Sequence, residues 1–165
     1  MDFIWSPWRY DYLASAGKKP SSCVFCVGED RSRDADRLIV FRGTYNFIIL
    51  NLFPYTSGHT MVAPYEHLES ITAAKPEQSS EMMQFAKRII RALQELYKPD
   101  GFNIGMNLGH AAGAGIREHF HLHVVPRWLG DSNFVNVIGE TRVLPEELNR
   151  TYERLKSLLD KQVPS

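Results

Sequence analysis

A chain of 165 residues that is 44% hydrophobic and 23% charged is long enough to bury one sizeable core and too short for two, which predicts a single soluble globular domain. Its 19 Lys and Arg balance 19 Asp and Glu, so net charge offers nothing to a long nucleic acid or an anionic membrane, while a small anion needs only local donors. No apolar run approaches the roughly 20 residues a bilayer demands, and "MDFIWSPWRYDYL" at the start carries no basic-then-apolar leader, so the expected location is cytoplasmic.

Residues 1–22, rich in Trp, Tyr, Pro and Ser, show no period and are expected to form an irregular arm. A domain over 23–142 and a C-terminal helix and tail over 143–165 follow. Cys23 and Cys26 form a C-x-x-C pair, which in a reducing compartment favours a metal or redox role over a structural disulfide. "LIVF" (Leu38–Phe41), "YNFIIL" (Tyr45–Leu50) and "HTMVA" (His59–Ala63) read as strands separated by turn-forming residues. From Glu77 to Tyr97 the apolar Met82, Ala86, Ile89, Leu93 and Leu96 recur at helical steps, widened by Met83, Ile90 and Tyr97, and predict one long amphipathic helix. Pro76 suits its first turn and "KPDG" its end.

"FNIGMN" (Phe102–Asn107) reads as a strand, "LGHAAGAG" as a flexible loop, and His119–Val125 as a strand closed by Pro126. Leu148, Tyr152, Leu155 and Leu159 then repeat the helical period behind Pro145, Glu146 and Glu147. The predicted class is α+β: an antiparallel sheet of about five strands with the long helix packed on one face, plus a C-terminal helix.

His119, His121 and His123 alternate with Phe120, Leu122 and Val124. Alternation places the imidazoles on one side of a strand, roughly 6–7 Å apart, where they meet solvent or a ligand, and the apolar residues on the other, toward the helix. Surface histidines satisfied by water are the plain alternative; strict alternation after a glycine-rich run argues against it. Three ligands spaced along one flat strand also converge poorly on a tetrahedral ion.

"HFHLHVV" matches the H-φ-H-φ-H-φ-φ signature, and the chain from "CVFC" through "GHTMVAPYEH" to "HVVPRW" resembles the histidine triad (HIT) family of nucleotide hydrolases and transferases. "SPWRYDYL" and "VVPRWLGDSNF" are similar to its diadenosine tetraphosphate phosphorylase branch. The resemblance implies a HIT-like fold and a catalytic set of His121, His123, His119 and His59. In it His121 attacks the α-phosphorus and becomes a nucleotidyl-imidazole, His123 contacts the phosphate or leaving oxygen, and His59 supports them. A neutral imidazole suits that role, with its second nitrogen held, commonly by a backbone carbonyl.

The same matching implies Asn51 as a ribose contact, Asn107 as a second polar contact, and Ala114, Gly115, Ile116 and Arg117 as the phosphate-cradling loop. There the family often carries G-Q-[ST]-V and this chain has "AGIR", so phosphate binding leans on main-chain N–H groups or on Arg117. Leu50 and Leu52 flank Asn51 and either sandwich the base or belong to the core. Trp8, Arg9 and Trp128 are candidates to close the pocket. Cys23, Cys26, His67 and His119 complete the ligand set of zinc-binding family members, and a site using four protein ligands is structural. No organic cofactor is expected.

The implied substrate is a nucleotide or dinucleoside polyphosphate, diadenosine tetraphosphate in particular, with inorganic phosphate or water as acceptor. A nucleoside phosphoramidase and a non-catalytic nucleotide-binding signalling module are the alternatives. The resemblance further implies a homodimer.

Overall fold

The computed structural model describes residues 23–131 and 146–162; the arm expected at 1–22, with Trp8 and Arg9, lies outside the described residues. Five strands form one antiparallel sheet: β1 (Ile39–Arg42), β2 (Asn46–Leu50), β3 (Thr60–Pro64), β4 (Gly101–Met106) and β5 (Leu122–Arg127). Their order is β1-β2-β3-β5-β4. The first three make the expected meander. The long helix α1 (Pro76–Tyr97) then carries the chain to the edge strand β4, and β5 returns between β3 and β4. The predicted α+β class is the observed one.

α1 covers the sheet with Met82, Phe85, Ala86, Ile89, Ala92 and Leu93, all buried. Ile48, Val62 and Val124, on β2, β3 and β5, are fully buried in the same core. Each large apolar side chain so buried stabilises the fold by about 1.5–3 kcal/mol. Met83, expected at the edge of the stripe, is instead 49% exposed, because Phe85 and Ala92 shift the buried face away from it. Beyond Pro76 the helix contains neither proline nor glycine. It ends where Lys98 turns left-handed at φ 47° and Pro99 cannot continue it. The second helix, α2 (Leu148–Lys161), buries Leu155 and Leu159 against α1 and β1.

Two glycines let α1 approach the chain closely. A Cβ on Gly43, in the β1–β2 turn, would collide with the Phe85 ring. The Glu81 carboxylate accepts from the N–H groups of Thr44, Tyr45 and Asn46 at 2.7–2.8 Å and so fastens this turn to the helix. Gly58, before His59, has φ +81° and would meet Leu93 at 2.8 Å and Tyr97 at 3.1 Å if it carried a Cβ.

The bounds of β1 to β4 differ from the sequence reading by a single residue at one or both ends, and those of β5 by more. Pairing starts at Leu122 and runs to Arg127, not from His119 to Val125. The Phe120 N–H donates to the Leu68 carbonyl (2.7 Å), so His119–His121 approach the sheet along the segment after β3 without joining its ladder. Pro126 does not close the strand: it lies past the last β3 pair, Thr60–Val124, and pairs with Phe102 of β4.

Candidate active site

β2 and β3 end in register at Leu50 and Thr60. Asn51 and His59 therefore face each other across the strand ends, where the Asn51 N–H donates to the His59 carbonyl (3.0 Å). β3 pairs with β5 at Met61–His123, which brings His59 to the triad from the neighbouring strand.

Alternation holds through the triad, since Phe120, Leu122 and Val124 are core residues. The histidine side, expected to meet solvent or a ligand, is largely covered by the protein itself. His119 is 0% and His121 6% exposed, and His123 is partly buried. The cover is Phe25, whose ring centroid lies 4.7 Å from that of His121 and 5.4 Å from that of His119. Tyr55 lies against His59 (4.5 Å) and stacks with His123 (6.2 Å). The sequence reading missed both aromatics; the position of Phe25 between the two cysteines was the available signal.

Hydrogen bonding fixes the tautomers. His121 Nδ1 lies 3.0 Å from the His119 carbonyl. A carbonyl only accepts, so Nδ1 carries the proton and the Nε2 lone pair remains. Burial lowers the His121 pKa below its ordinary value, which keeps the ring neutral. The Tyr55 N–H donates to His59 Nδ1 (3.0 Å); a ring that accepts at Nδ1 is neutral and holds its proton on Nε2. His59 Nε2–H then donates to His123 Nδ1 (2.9 Å). Burial, followed by the nearby His121, pushes the His123 pKa down to about 4, so His123 is neutral with its proton on Nε2. The result is a pair of imidazoles 4.7 Å apart, one with a lone pair for attack and one with an N–H to donate.

The polar neighbours divide. Asn51 sits beside His59, its Nδ2 3.4 Å from Nδ1, while its Oδ1 accepts from the Phe53 N–H (2.9 Å). Leu50 is buried in the core and Leu52 is 61% exposed, so the two leucines occupy different environments. Asn107 immediately follows the Met106–Leu122 pair, at the end of the sheet where the triad enters. In the loop beyond it Gly109 and Gly113 adopt φ near +80°, Ala114 is buried, Ile116 packs against the core, and Gly115 and Arg117 are exposed. Trp128 lies past the opposite end of β5, more than about 15 Å along the strand from His123 at 3.3 Å per residue, and is not brought to the triad.

A second cluster adjoins the first. The ligand atoms of Cys23, Cys26, His67 and His119 all lie within 4.8 Å of one another. Cys23 Sγ is 3.5 Å and Cys26 Sγ 3.9 Å from His119 Nδ1, and Cys26 Sγ is 3.3 Å from His67 Nδ1. His119 Nε2 lies 2.8 Å from the Pro64 carbonyl, so it holds the proton and leaves the Nδ1 lone pair facing the thiols. Burial also lowers the His119 pKa, as a neutral ligand requires. The Cys26 thiol is pushed up by desolvation and then by neighbouring Cys23, a cost that a cation between the sulfurs removes. Both cysteines are free. Two thiols and two imidazoles converging this way fit a closed tetrahedral zinc site.

The paired strands, the alternating histidines and their partner His59 just before β3 define a histidine triad protein, and the family model described as HIT domain matches residues 32–128. The chain belongs to the HIT family. It is 40% identical over 154 residues to a Mycobacterium tuberculosis protein named AP-4-A phosphorylase, covering 90% of this chain and 79% of that one. Among solved structures it is similar to a zinc-bound histidine triad family protein from Mycobacterium smegmatis, with TM-score 0.66, 32% identity, and 85% of this chain and 94% of that chain covered. It is also similar to a HIT family protein from Bacillus anthracis, with TM-score 0.57, 27% identity, and 87% and 99% covered. No described helix is long and apolar enough to cross a membrane.

Proposed function

We propose that this protein cleaves dinucleoside polyphosphates, diadenosine tetraphosphate in particular, by transferring a nucleotidyl group through His121 to inorganic phosphate. The His121 Nδ1 contact with the His119 carbonyl carries the reading, because it reserves Nε2 as the nucleophile. His121 Nε2 attacks the α-phosphorus, the bond from that phosphorus to the bridging oxygen breaks, and the remaining nucleoside polyphosphate departs with the electron pair. His123 Nε2–H, oriented through His59 and the Tyr55 N–H, donates to the departing oxygen. Phosphate then attacks the phosphorus and His121 is regenerated. The 40% identity to a protein named AP-4-A phosphorylase supports both substrate and acceptor.

Asn51 is assigned to the ribose, Asn107 to a second polar contact, and the Ala114–Arg117 loop to the phosphates. Cys23, Cys26, His67 and His119 hold a structural zinc, which supplies a crosslink between the segment before β1 and the triad. A homodimer is assigned to edge strand β4, whose Ile104 is 45% exposed and whose outer side has no strand partner among the described residues.

Chromatography of diadenosine tetraphosphate products decides the chemistry: ADP plus ATP, dependent on added phosphate, is expected, whereas AMP plus ATP makes water the acceptor. His121→Ala should abolish turnover while nucleotide affinity persists. Wild-type protein that binds nucleotides and turns over none would identify a binding module instead.

A further inference from the structure

His119 has three polar ends, each engaged differently. Its Nε2–H is given to Pro64 of β3 (2.8 Å), its Nδ1 faces Cys23 and Cys26, and its main-chain carbonyl receives the Nδ1–H of His121 (3.0 Å). That carbonyl lies three residues before the first ladder residue, Leu122, so sheet pairing does not fix it. The same peptide unit is held on its other side, since the Phe120 N–H donates to the Leu68 carbonyl, and the His119 side chain adds a second hold at its own Cα through Pro64 and the cysteines.

The cysteine turn reaches the nucleophile by a second route. The Cys26 N–H donates to the Cys23 carbonyl (3.1 Å), and the turn they close presses Phe25, 2% exposed, against His121 and His119. This segment is attached downstream by Arg37 donating to the Val27 carbonyl (2.6 Å). Four ligands brought together on one ion would lock the side chain that holds the carbonyl and the turn that holds the ring.

We propose that the Cys23, Cys26, His67 and His119 centre is a positioning device for the nucleophile: closed on zinc, it fixes the His119 carbonyl and the Phe25 ring and thereby holds His121 in its Nδ1–H tautomer. The inference rests on the proposed function for the role of His121. The four ligands and Phe25 are positioning residues. A centre that only stiffened the fold would act on melting temperature and leave the His121 tautomer alone.

The test is nitrogen-15 NMR of the His121 ring in the full chain at constant neutral pH, with zinc, after chelation, and after zinc is returned; His121→Asn assigns the signals. With zinc, one protonated and one unprotonated ring nitrogen should be resolved. After chelation the two shifts should move toward each other while the amide spectrum of α1 persists, and zinc should restore them. Turnover should fall about 10- to 100-fold on chelation, the size of effect expected when the partner orienting a site residue is lost, with KM within about twofold. Phe25→Leu, which keeps all four ligands, should bind zinc and show part of the same shift even if Cys26→Ser fails to fold.

Failure of the intact chain to bind zinc, or a His121 tautomer pattern unchanged by chelation, overturns the proposal. A pattern that zinc orders in a protein that cleaves no dinucleotide leaves the coupling standing and sinks the proposed activity.

Discussion

Acidification probes His123 through a proton that the folded chain refuses. Burial and, next, His121 hold this imidazole down to about 4, whereas in the unfolded chain it titrates near its ordinary value of about 6.5. Above about pH 6.5 both states are neutral there and the group adds no pH dependence. Between about 6.5 and 4 the unfolded state binds the proton and the native state does not, so stability drops as pH falls, by about 1.4 kcal/mol per unit at most. The total comes to about 3 kcal/mol by pH 4, below which both states are protonated and the slope ends. Urea unfolding of wild type and His123→Asn at matched pH values measures it, because the difference at each pH cancels protonation events common to both. The wild-type advantage should shrink by about 3 kcal/mol between neutral pH and pH 4. A difference that stays constant to within about 0.5 kcal/mol, the usual error of additivity, refutes a neutral, desolvated His123 and with it the assignment of its Nε2 proton.

Gly58→Ala forces an L-residue into φ +81° against Leu93 and should cost about 2 kcal/mol; since it also displaces His59, turnover should fall further than the loss of folded protein explains, as measured by kcat per folded molecule. Glu81→Ala strips the acceptor from three N–H groups and should cost about 2 kcal/mol, seen as a melting temperature lower by about 4–8 °C. Chelation should lower the melting temperature of zinc-loaded protein: free zinc at about 1,000 times its Kd contributes about 4 kcal/mol, equivalent to about 8–16 °C for a chain of this size.

Local periodicity made much of this protein legible in its sequence. The stripe from Met82 to Leu93 repeats at the helical step, and the histidines alternate with Phe120, Leu122 and Val124, because which face a side chain takes depends only on its immediate backbone. Proline and glycine marked where α1 begins and ends for the same reason. The shift of the buried face onto Phe85, and the start of β5 at Leu122 in place of His119, escaped that reading. Both depend on what packs opposite: the sheet under α1, and Leu68 beside Phe120.

The sequence by itself determined the residue types for the chemistry, their alternation and the spacing of the cysteines. Only the tertiary structure decided their protonation and surroundings. The hydrogen bonds that run from Tyr55 through His59 to His123 include one between residues 64 positions apart, and the thiols meet His119 across separations of 96 and 93. An imidazole's two nitrogens are equivalent in composition and in period, and they become distinct only when a fixed donor or acceptor from elsewhere in the chain chooses between them.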